Sequence, residues 1–147
     1  FTPMDEHRFF SFGKNLVTFE LDGHKCGIVI CYDIRFCELI RSLALKGIDM
    51  LFMVSQWPLV RTSHIVTLTR ARAIENQMFV VCCNSCGKTP DAVFGGHSQI
   101  IDPWGEVLGA AGEQQEVITA DCDLGIIKDI RNSINVFNDR KPDLYEL

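Results

Sequence analysis

The order of apolar segments between residues 25 and 84 constrains the fold of this chain more than any other feature. Three short apolar runs alternate with two segments whose apolar residues recur at helical spacing, in the order 25–31, 34–46, 49–54, 60–76 and 78–84. Gly47 follows the first helical segment as a C-terminal stop. Strands that alternate with helices over short connections are typical of an α/β layered sheet, and we predict that fold class.

Hairpin and meander patterns flank this alternating core. Alternation over 17–21 and the Asp-Gly-His turn after it predict a hairpin that leads into the strand at 25–31. Later, short strands are predicted at 97–101, 106–109 and 116–122, and a final helix from about Leu124. The chain contains neither an internal repeat nor a Ser/Gly-rich linker, so we expect residues 1–147 to belong to one domain.

Charge and composition exclude several classes of function. The net charge is −5 and the 14 lysines and arginines are scattered, which argues against a nucleic-acid partner. No apolar stretch reaches the roughly 18–20 residues of a membrane span, and the start of the sequence lacks the apolar region of a signal peptide. Seven cysteines, most of them in apolar segments, favour buried free thiols over a disulfide framework. We therefore expect a cytoplasmic protein without a membrane partner.

Cys31 has the position that a thiolate nucleophile requires. It ends the first apolar run, where the chain turns from a strand into a helical segment. Backbone N–H groups and a helix N-terminus at such an elbow favour negative charge and can receive an oxyanion. The other six cysteines lie within strands, within a helix or at a strand end without this turn. Position alone leaves a packed core thiol as the alternative, because buried cysteines are common.

The residues around Cys31 resemble the nucleophile motif of the nitrilase superfamily of carbon-nitrogen hydrolases. Cys-Tyr-Asp-Ile-Arg-Phe at 31–36, followed by Glu-Leu, carries this resemblance. It continues through further motifs in matching order, at 55–58, 70–77, 83–87 and 96–105. The chain departs from the pattern at Cys37, where the family usually has a proline, and a proline lost from a first helical turn costs little. The motifs look like the C-terminal half of the family, most similar to the ω-amidase branch.

The resemblance implies a fold and a reaction. It implies half of an α-β-β-α sandwich, with a mixed sheet and flanking helices, and it leads us to expect that the N-terminal part of a single domain is missing. Members of the family use a glutamate as general base, a lysine that stabilises the oxyanion and a cysteine nucleophile. Of this set only Cys31 has a matching position here. The implied reaction is amide hydrolysis through a cysteine thioester with release of ammonia and without a cofactor.

Two further catalytic residues follow from the resemblance. Glu6 stands 25 residues before Cys31 and matches a second glutamate of the family that positions substrate and assists the base. A solvated loop carboxylate is the alternative for Glu6. Tyr32 is expected to supply an oxyanion N–H from its backbone. We expect Asp33 and Arg35 to form an ion pair that braces the elbow.

The expected substrate is a small-molecule amide, with the ω-amide of a 2-oxo dicarboxylic acid as the form suggested by the ω-amidase branch. Trp57 follows the end of the second apolar run, at the same predicted sheet edge as Cys31, and is a candidate for substrate binding. Arg61 is the candidate for an anionic substrate tail, against the alternative of a solvent-facing arginine. Arg70, Arg72 and Glu75 are expected to brace a helix or an interface.

Other hypotheses stay open at this point. The chain as given is alternatively a non-catalytic fragment or pseudoenzyme, and a nitrilase or N-carbamoyl hydrolase of the same superfamily is a further alternative. Cys83 and Cys86 form a CxxC, but without a second ligand pair we expect core thiols rather than a redox centre or a metal site. The four histidines share no ligand spacing, so no metal is expected. An apolar inner face left open would favour a homo-oligomer, a dimer or larger.

Overall fold

The fold is built on one mixed sheet, seen in a computed structural model that describes residues 5–145. Its strands are β1 (Thr18–Leu21), β2 (His24–Ile30), β3 (Met50–Ser55), β4 (Phe79–Asn84), β7 (Gln99–Ile101) and β8 (Val107–Ala110), while β5 (Cys86–Lys88) and β6 (Val93–Gly95) lie outside it. The strands of the sheet lie in the order β1-β2-β3-β4-β7-β8. The pairs β2–β3 and β3–β4 are parallel and the others antiparallel, which confirms the predicted mixed α/β sheet.

Three helices accompany the sheet: α1 (Cys37–Ala44), α2 (Thr62–Asn76) and α3 (Ile126–Ser133). One core unites α1 and α2 with a single face of the sheet, and fully buried members include Ile40, Leu43, Ile65, Leu51 and Val80. Within residues 5–145, none of the helices is long and apolar enough to cross a membrane.

Within residues 5–145, no helix packs on the opposite face of the sheet. Side chains alternate between the two faces of a strand, so Leu51 and Met53 point to the core while their neighbours Phe52 and Val54 point away. Ile30 is 64% exposed and Val54 44% exposed on this second face, which we call the open face. One covered and one open apolar face agree with the expected half of an α-β-β-α sandwich.

Helix starts differ from the sequence prediction. A 3-10 turn over Cys31–Arg35 precedes α1, which begins at Cys37 instead of residue 34. Another 3-10 turn, Leu59–Arg61, precedes α2. Both tight turns carry apolar residues at spacings that a helical pattern also fits, so the periodicity extended the predicted helices too far.

The second half of the chain contains one missed hairpin and one wrong strand. Strands β5 and β6 pair as a small separate sheet that we did not predict. Residues 116–122 were predicted as a strand, but they have no regular secondary structure, and Val117 is 91% exposed. Alternating apolar residues form a strand only where a neighbouring strand offers hydrogen-bond partners.

Candidate active site

Parallel strands bring the predicted site residues to one edge of the sheet. Ile30 of β2 is in register with Val54 of β3, and Ser55 of β3 is in register with Asn84 of β4. The residues that follow these positions therefore leave the sheet at its carboxyl edge, where open α/β sheets bind ligands. Cys31 and Trp57 are both placed there.

Cys31 opens the 3-10 turn in a left-handed backbone conformation. Its φ is 45°, a region that costs a non-glycine residue roughly 1–2 kcal/mol. The chain reverses within one residue, and the half-buried thiol stands at the edge of the sheet. The turn at this strained elbow was predicted from the sequence, but the left-handed conformation of Cys31 was not.

Hydrogen bonds within the turn hold the elbow. The Ile30 N–H donates to the Asp33 carboxylate at 3.0 Å, and the Phe36 N–H donates to the Asp33 carbonyl at 3.1 Å. The expected ion pair between Asp33 and Arg35 is wrong, since no such pair occurs within the described part of the chain. Asp33 braces the turn through the backbone, because its carboxylate lies close to the N–H group three residues before it.

Arg35 instead packs against aromatic rings. Its guanidinium carbon lies 4.6 Å from the centroid of the Trp57 ring and 5.7 Å from that of Tyr32. One guanidinium nitrogen also lies 3.3 Å from His64 Nδ1. Such contacts of a cation with ring faces are worth about 0.5–2 kcal/mol. Arg35 thus links the elbow to Trp57, a role that sequence spacing gave no sign of.

One cavity of about 1030 Å³ contains all five predicted site residues. Its lining includes Cys31, Glu6, Tyr32, Trp57 and Arg61. Glu6 is partly exposed, in a short 3-10 turn over Glu6–Arg8, and Tyr32 is 37% exposed. Cavities of this size accommodate small molecules. Among the seven cysteines, Cys31 alone lines this cavity within residues 5–145.

The wall beside Cys31 depends on a buried amide that the sequence analysis missed. The Trp57 N–H donates to Asn84 Oδ1 at 2.7 Å, and Asn84 Nδ2 donates to the Gly96 carbonyl at 2.7 Å. The Trp57 indole N–H donates to the Arg61 carbonyl at 2.8 Å. Trp57 is only 2% exposed as a result. A polar residue at the end of the apolar β4 was the available sequence signal for Asn84.

Arg61 brings a cation to the cavity. It ends the turn before α2 and is partly exposed. Its guanidinium has no hydrogen-bond or ion-pair partner among residues 5–145. A cation in this position is available to an anionic ligand.

Several other thiols are disfavoured as nucleophiles. Burial raises the pKa of Cys82 to about 12, with the neighbouring Cys83 and Cys31 adding to the effect. Burial also raises the pKa of Cys26 and Cys122, and a hydrogen bond to Glu38 raises that of Cys37. Because the thiolate is the reactive form, a raised pKa lowers reactivity at neutral pH.

The CxxC does not form a core pair. Cys83 is exposed and Cys86 half-buried, so the expectation of buried thiols was wrong for both. None of the seven cysteines forms a disulfide in residues 5–145. In residues 5–145, no three His, Cys, Asp or Glu side chains cluster in a way that could hold a metal ion.

His97 makes the structural hydrogen bond that was expected of it. Its Nδ1 lies 2.7 Å from the Gly95 carbonyl, shortly before β7 begins.

The arginines of α2 contact other segments as braces. Arg72 Nε donates to the Ile34 carbonyl at 3.0 Å, and Arg70 Nε donates to the Gly105 carbonyl at 2.6 Å. Glu75 pairs with Arg72 at 2.9 Å. The predicted bracing role is therefore confirmed for these three residues.

This chain is similar to known proteins in sequence and in fold. The sequence model of the family described as Carbon-nitrogen hydrolase matches residues 2–132. A 2-oxoglutaramate amidase of Bacillus subtilis (strain 168) is 50% identical over 145 residues, which cover 99% of this chain and 56% of the relative. The chain thus spans little more than half of that protein's length.

Two solved structures add to this similarity. Nit3 of Saccharomyces cerevisiae, described as a member of branch 10 of the nitrilase superfamily, superposes with a TM-score of 0.86 at 31% identity, over 94% of this chain and 52% of that one. A single-site mutant of the amidase from Nesterenkonia sp. AN1 carries the acetamide moiety of fluoroacetamide on its active-site cysteine. It superposes with a TM-score of 0.82 at 25% identity, covering 97% of this chain and 51% of that one.

Proposed function

We propose that this chain, which belongs to the carbon-nitrogen hydrolase family, carries the nucleophile of an amidase that acts on a small amide. The observation that carries the proposal is the placement of Cys31 at a strained elbow that opens into the cavity. A similar amidase bears a covalent adduct on its active-site cysteine, which supports the same role for Cys31. The elbow and the cavity beside it support this proposal.

The proposed reaction proceeds through a thioester. The Cys31 sulfur attacks the amide carbon, and the carbonyl oxygen becomes an oxyanion that receives the Tyr32 backbone N–H. Collapse of this intermediate breaks the carbon-nitrogen bond, and the leaving nitrogen takes up the proton that the Cys31 thiol gave up on attack and departs as ammonia. Water then cleaves the thioester to a carboxylic acid and restores the thiol.

Glu6 is proposed to position the amide and to assist proton transfer. Glu6 lines the same cavity as Cys31. This shared position favours the proposed role over the alternative of a solvated loop carboxylate. The family's general base and lysine have no matching positions in these 147 residues. We therefore propose activity for the full-length protein, and we expect this chain alone to be inactive.

The proposed substrate is the ω-amide of a 2-oxo dicarboxylic acid. Such a molecule carries a carboxylate at one end and an amide at the other. Arg61 offers a cation on the cavity wall, and Arg35, whose guanidinium packs on the buried Trp57 ring, lines the same cavity as Cys31. The name of the Bacillus relative, 2-oxoglutaramate amidase, supports this substrate class.

The test is the replacement of Cys31 in the full-length protein. Cys31→Ala and Cys31→Ser should each lower ammonia release from a 2-oxo dicarboxylic acid monoamide by at least about 10³-fold, since the covalent step is lost. Cys83→Ala is the matched control, because that exposed thiol lies outside the cavity lining, and it should keep wild-type activity. Undiminished ammonia release by Cys31→Ala would refute the assignment.

Two alternatives are separated by the same assay. A pseudoenzyme gives no ammonia from any substrate even as the wild type. A nitrilase or an N-carbamoyl hydrolase releases ammonia from a nitrile or a carbamoyl compound in preference to the amide. The amidase is favoured because relatives at 50% and 42% identity are both named 2-oxoglutaramate amidase.

Location and assembly are part of the proposal. Seven unpaired cysteines are typical of a reducing compartment, which supports a cytoplasmic location. For the 147-residue chain on its own, the open face supports a homo-oligomer, a dimer or larger, because exposed apolar patches of this kind favour association. The proposed chemistry needs no cofactor.

A further inference from the structure

Arg72 reaches from α2 to the back of the nucleophile's turn. Its side chain is only 8% exposed, yet it carries a charge. Nε donates to the Ile34 carbonyl at 3.0 Å, and Nη2 donates to the Arg35 carbonyl at 3.2 Å. Nη1 donates to Glu75 at 2.9 Å, so each guanidinium nitrogen has a partner. A buried guanidinium with a hydrogen-bond partner on each of its three nitrogens fixes the geometry of the groups it binds.

The two carbonyls belong to the end of the turn that Cys31 begins. Carbonyls at the end of a short helical turn lack partners within the turn and need donors from elsewhere. At its start, Cys31 is held in the left-handed region, which persists only where surrounding contacts impose it. Asp33 supplies such contacts from inside the turn, and Arg72 supplies them from outside.

The contact with Arg35 extends the effect to the cavity wall. Arg72 fixes the backbone of Arg35, and the Arg35 side chain packs on the Trp57 ring at 4.6 Å. The side chain of Arg72 therefore helps to fix both the turn that begins at Cys31 and the packing of Arg35 on the Trp57 ring.

We infer that Arg72 is a positioning residue that holds the elbow of Cys31 and Tyr32 in the geometry required for attack on the amide. This inference rests on the proposed amidase function. Arg72 itself contacts no substrate, since it does not line the cavity. Its loss should act on the rate of the covalent step rather than on substrate binding, because a displacement of about 1 Å can cost a factor of 10² in rate.

Arg70 provides a matched control on the same helix. It too donates a side-chain hydrogen bond to a backbone carbonyl, that of Gly105, at 2.6 Å. Gly105 lies in the turn before β8, outside the cavity lining. An arginine is thus lost from α2 in both variants, but only one loss concerns the elbow.

The experiment compares Arg72→Met, Arg72→Lys and Arg70→Met in the full-length protein. Arg72→Met should lower kcat for a 2-oxo dicarboxylic acid monoamide about 10²-fold with KM changed less than about 3-fold. Arg72→Lys can reach one carbonyl at a time and should recover part of that loss. Arg70→Met should keep kcat within about 3-fold of the wild type.

Alkylation of Cys31 by iodoacetamide, followed by peptide mass spectrometry, reports on the elbow without any substrate. Its rate at pH 7 should change at least about 5-fold in Arg72→Met and stay unchanged in Arg70→Met, because a loosened turn no longer holds the half-buried thiol in its position on the cavity wall. If the wild type lacks amidase activity, the proposed function fails while this measurement still tests Arg72.

Three results would overturn the inference. One is a folded Arg72→Met variant with wild-type kcat and Cys31 alkylation. Another is an equal loss of kcat in Arg72→Met and Arg70→Met. The third result matters if Arg72→Met does not fold, and it is an Arg72→Lys variant with the kcat of the wild type. In that case a reduced kcat of Arg72→Lys at unchanged KM would support the role of Arg72.

Discussion

At the scale of single residues, the candidate site gathers Cys31, Trp57 and Arg61 on one cavity wall, and Asn84 and Arg35 hold Trp57 in place. Cys31, Trp57 and Arg61 follow strand ends or turns, so their arrival at one cavity was predictable from the order of elements. The roles of Asn84 and Arg35 depend on where a side chain points once distant segments meet, which no local pattern records. The sequence thus predicted which residues would reach the cavity, but it did not predict the side chains that hold them in place.

Replacement of Arg61 tests the proposed anionic end of the substrate. Arg61→Met should raise KM for a 2-oxo dicarboxylic acid monoamide about 10-fold or more, because a charged hydrogen bond is worth about 1.5–3 kcal/mol. The same variant should treat a neutral amide like the wild type, and steady-state kinetics with both substrates gives the comparison. An equal rise in KM for the two amides would show that Arg61 does not bind the carboxylate.

The buried thiol of Cys82 should make stability fall in alkaline solution. Its pKa is raised from 9.0 to about 12 by burial, so above pH 9 the unfolded chain loses a proton that the folded chain keeps. The free energy of unfolding then decreases by up to about 1.4 kcal/mol per pH unit until the folded thiol also ionises.

Urea unfolding at pH 8, 9 and 10 measures this effect. Cys82→Ala lacks the titrating group, so its stability deficit relative to the wild type should shrink as the pH rises above 9. Other groups titrate in both proteins and cancel in the difference. A deficit that stays constant over this range would contradict the prediction.

At the scale of elements, the strands of the parallel core were the most predictable parts. Runs of buried apolar residues specified β2, β3 and β4 to within one or two residues. The 3-10 turns and the β5–β6 hairpin escaped because they are short and are fixed by tertiary hydrogen bonds. Gly95, for example, donates its N–H to the Trp57 carbonyl at 2.9 Å. Local periodicity cannot report such distant partners.

The start of α1 should accept the proline that the chain lacks. Cys37 is the first residue of this helix, a position where proline is favoured, and Phe36 before it is extended with φ −93° and ψ 97°. Cys37→Pro should raise the free energy of unfolding by about 0.4–1 kcal/mol, because it restricts the unfolded chain. Urea unfolding beside Cys37→Ala, which removes only the thiol, measures the gain; a loss of stability would show that the backbone N–H at 37 is needed.

At the scale of the whole molecule, the asymmetry of the sheet dominates. One face is packed by α1 and α2, while the open face presents apolar side chains such as Ile28, Ile30 and Val54 to solvent. The half-sandwich was predictable from resemblance, but the extent of this exposure required the structure. Such a surface raises the free energy of the isolated chain in water.

The 147-residue chain on its own should therefore self-associate, and a charge on the open face should reduce this. Ile28→Lys should shift sedimentation velocity profiles toward the monomer, because the lysine must be desolvated in any apolar contact. Val117→Lys is the control, since Val117 is 91% exposed but lies outside the sheet. Equal profiles for Ile28→Lys and the unchanged chain would exclude the open face from the contact.

On the proposed function, the left-handed backbone of Cys31 places stability and activity in opposition at one position. Glycine adopts φ near 45° without the penalty that a β-carbon brings, so the fold by itself favours glycine there. Mutational drift that selects only for folding would erase the thiol and gain stability. On the proposed function, a gene copy released from catalysis should lose this residue early, because only the chemistry of the sulfur would favour a cysteine at this angle.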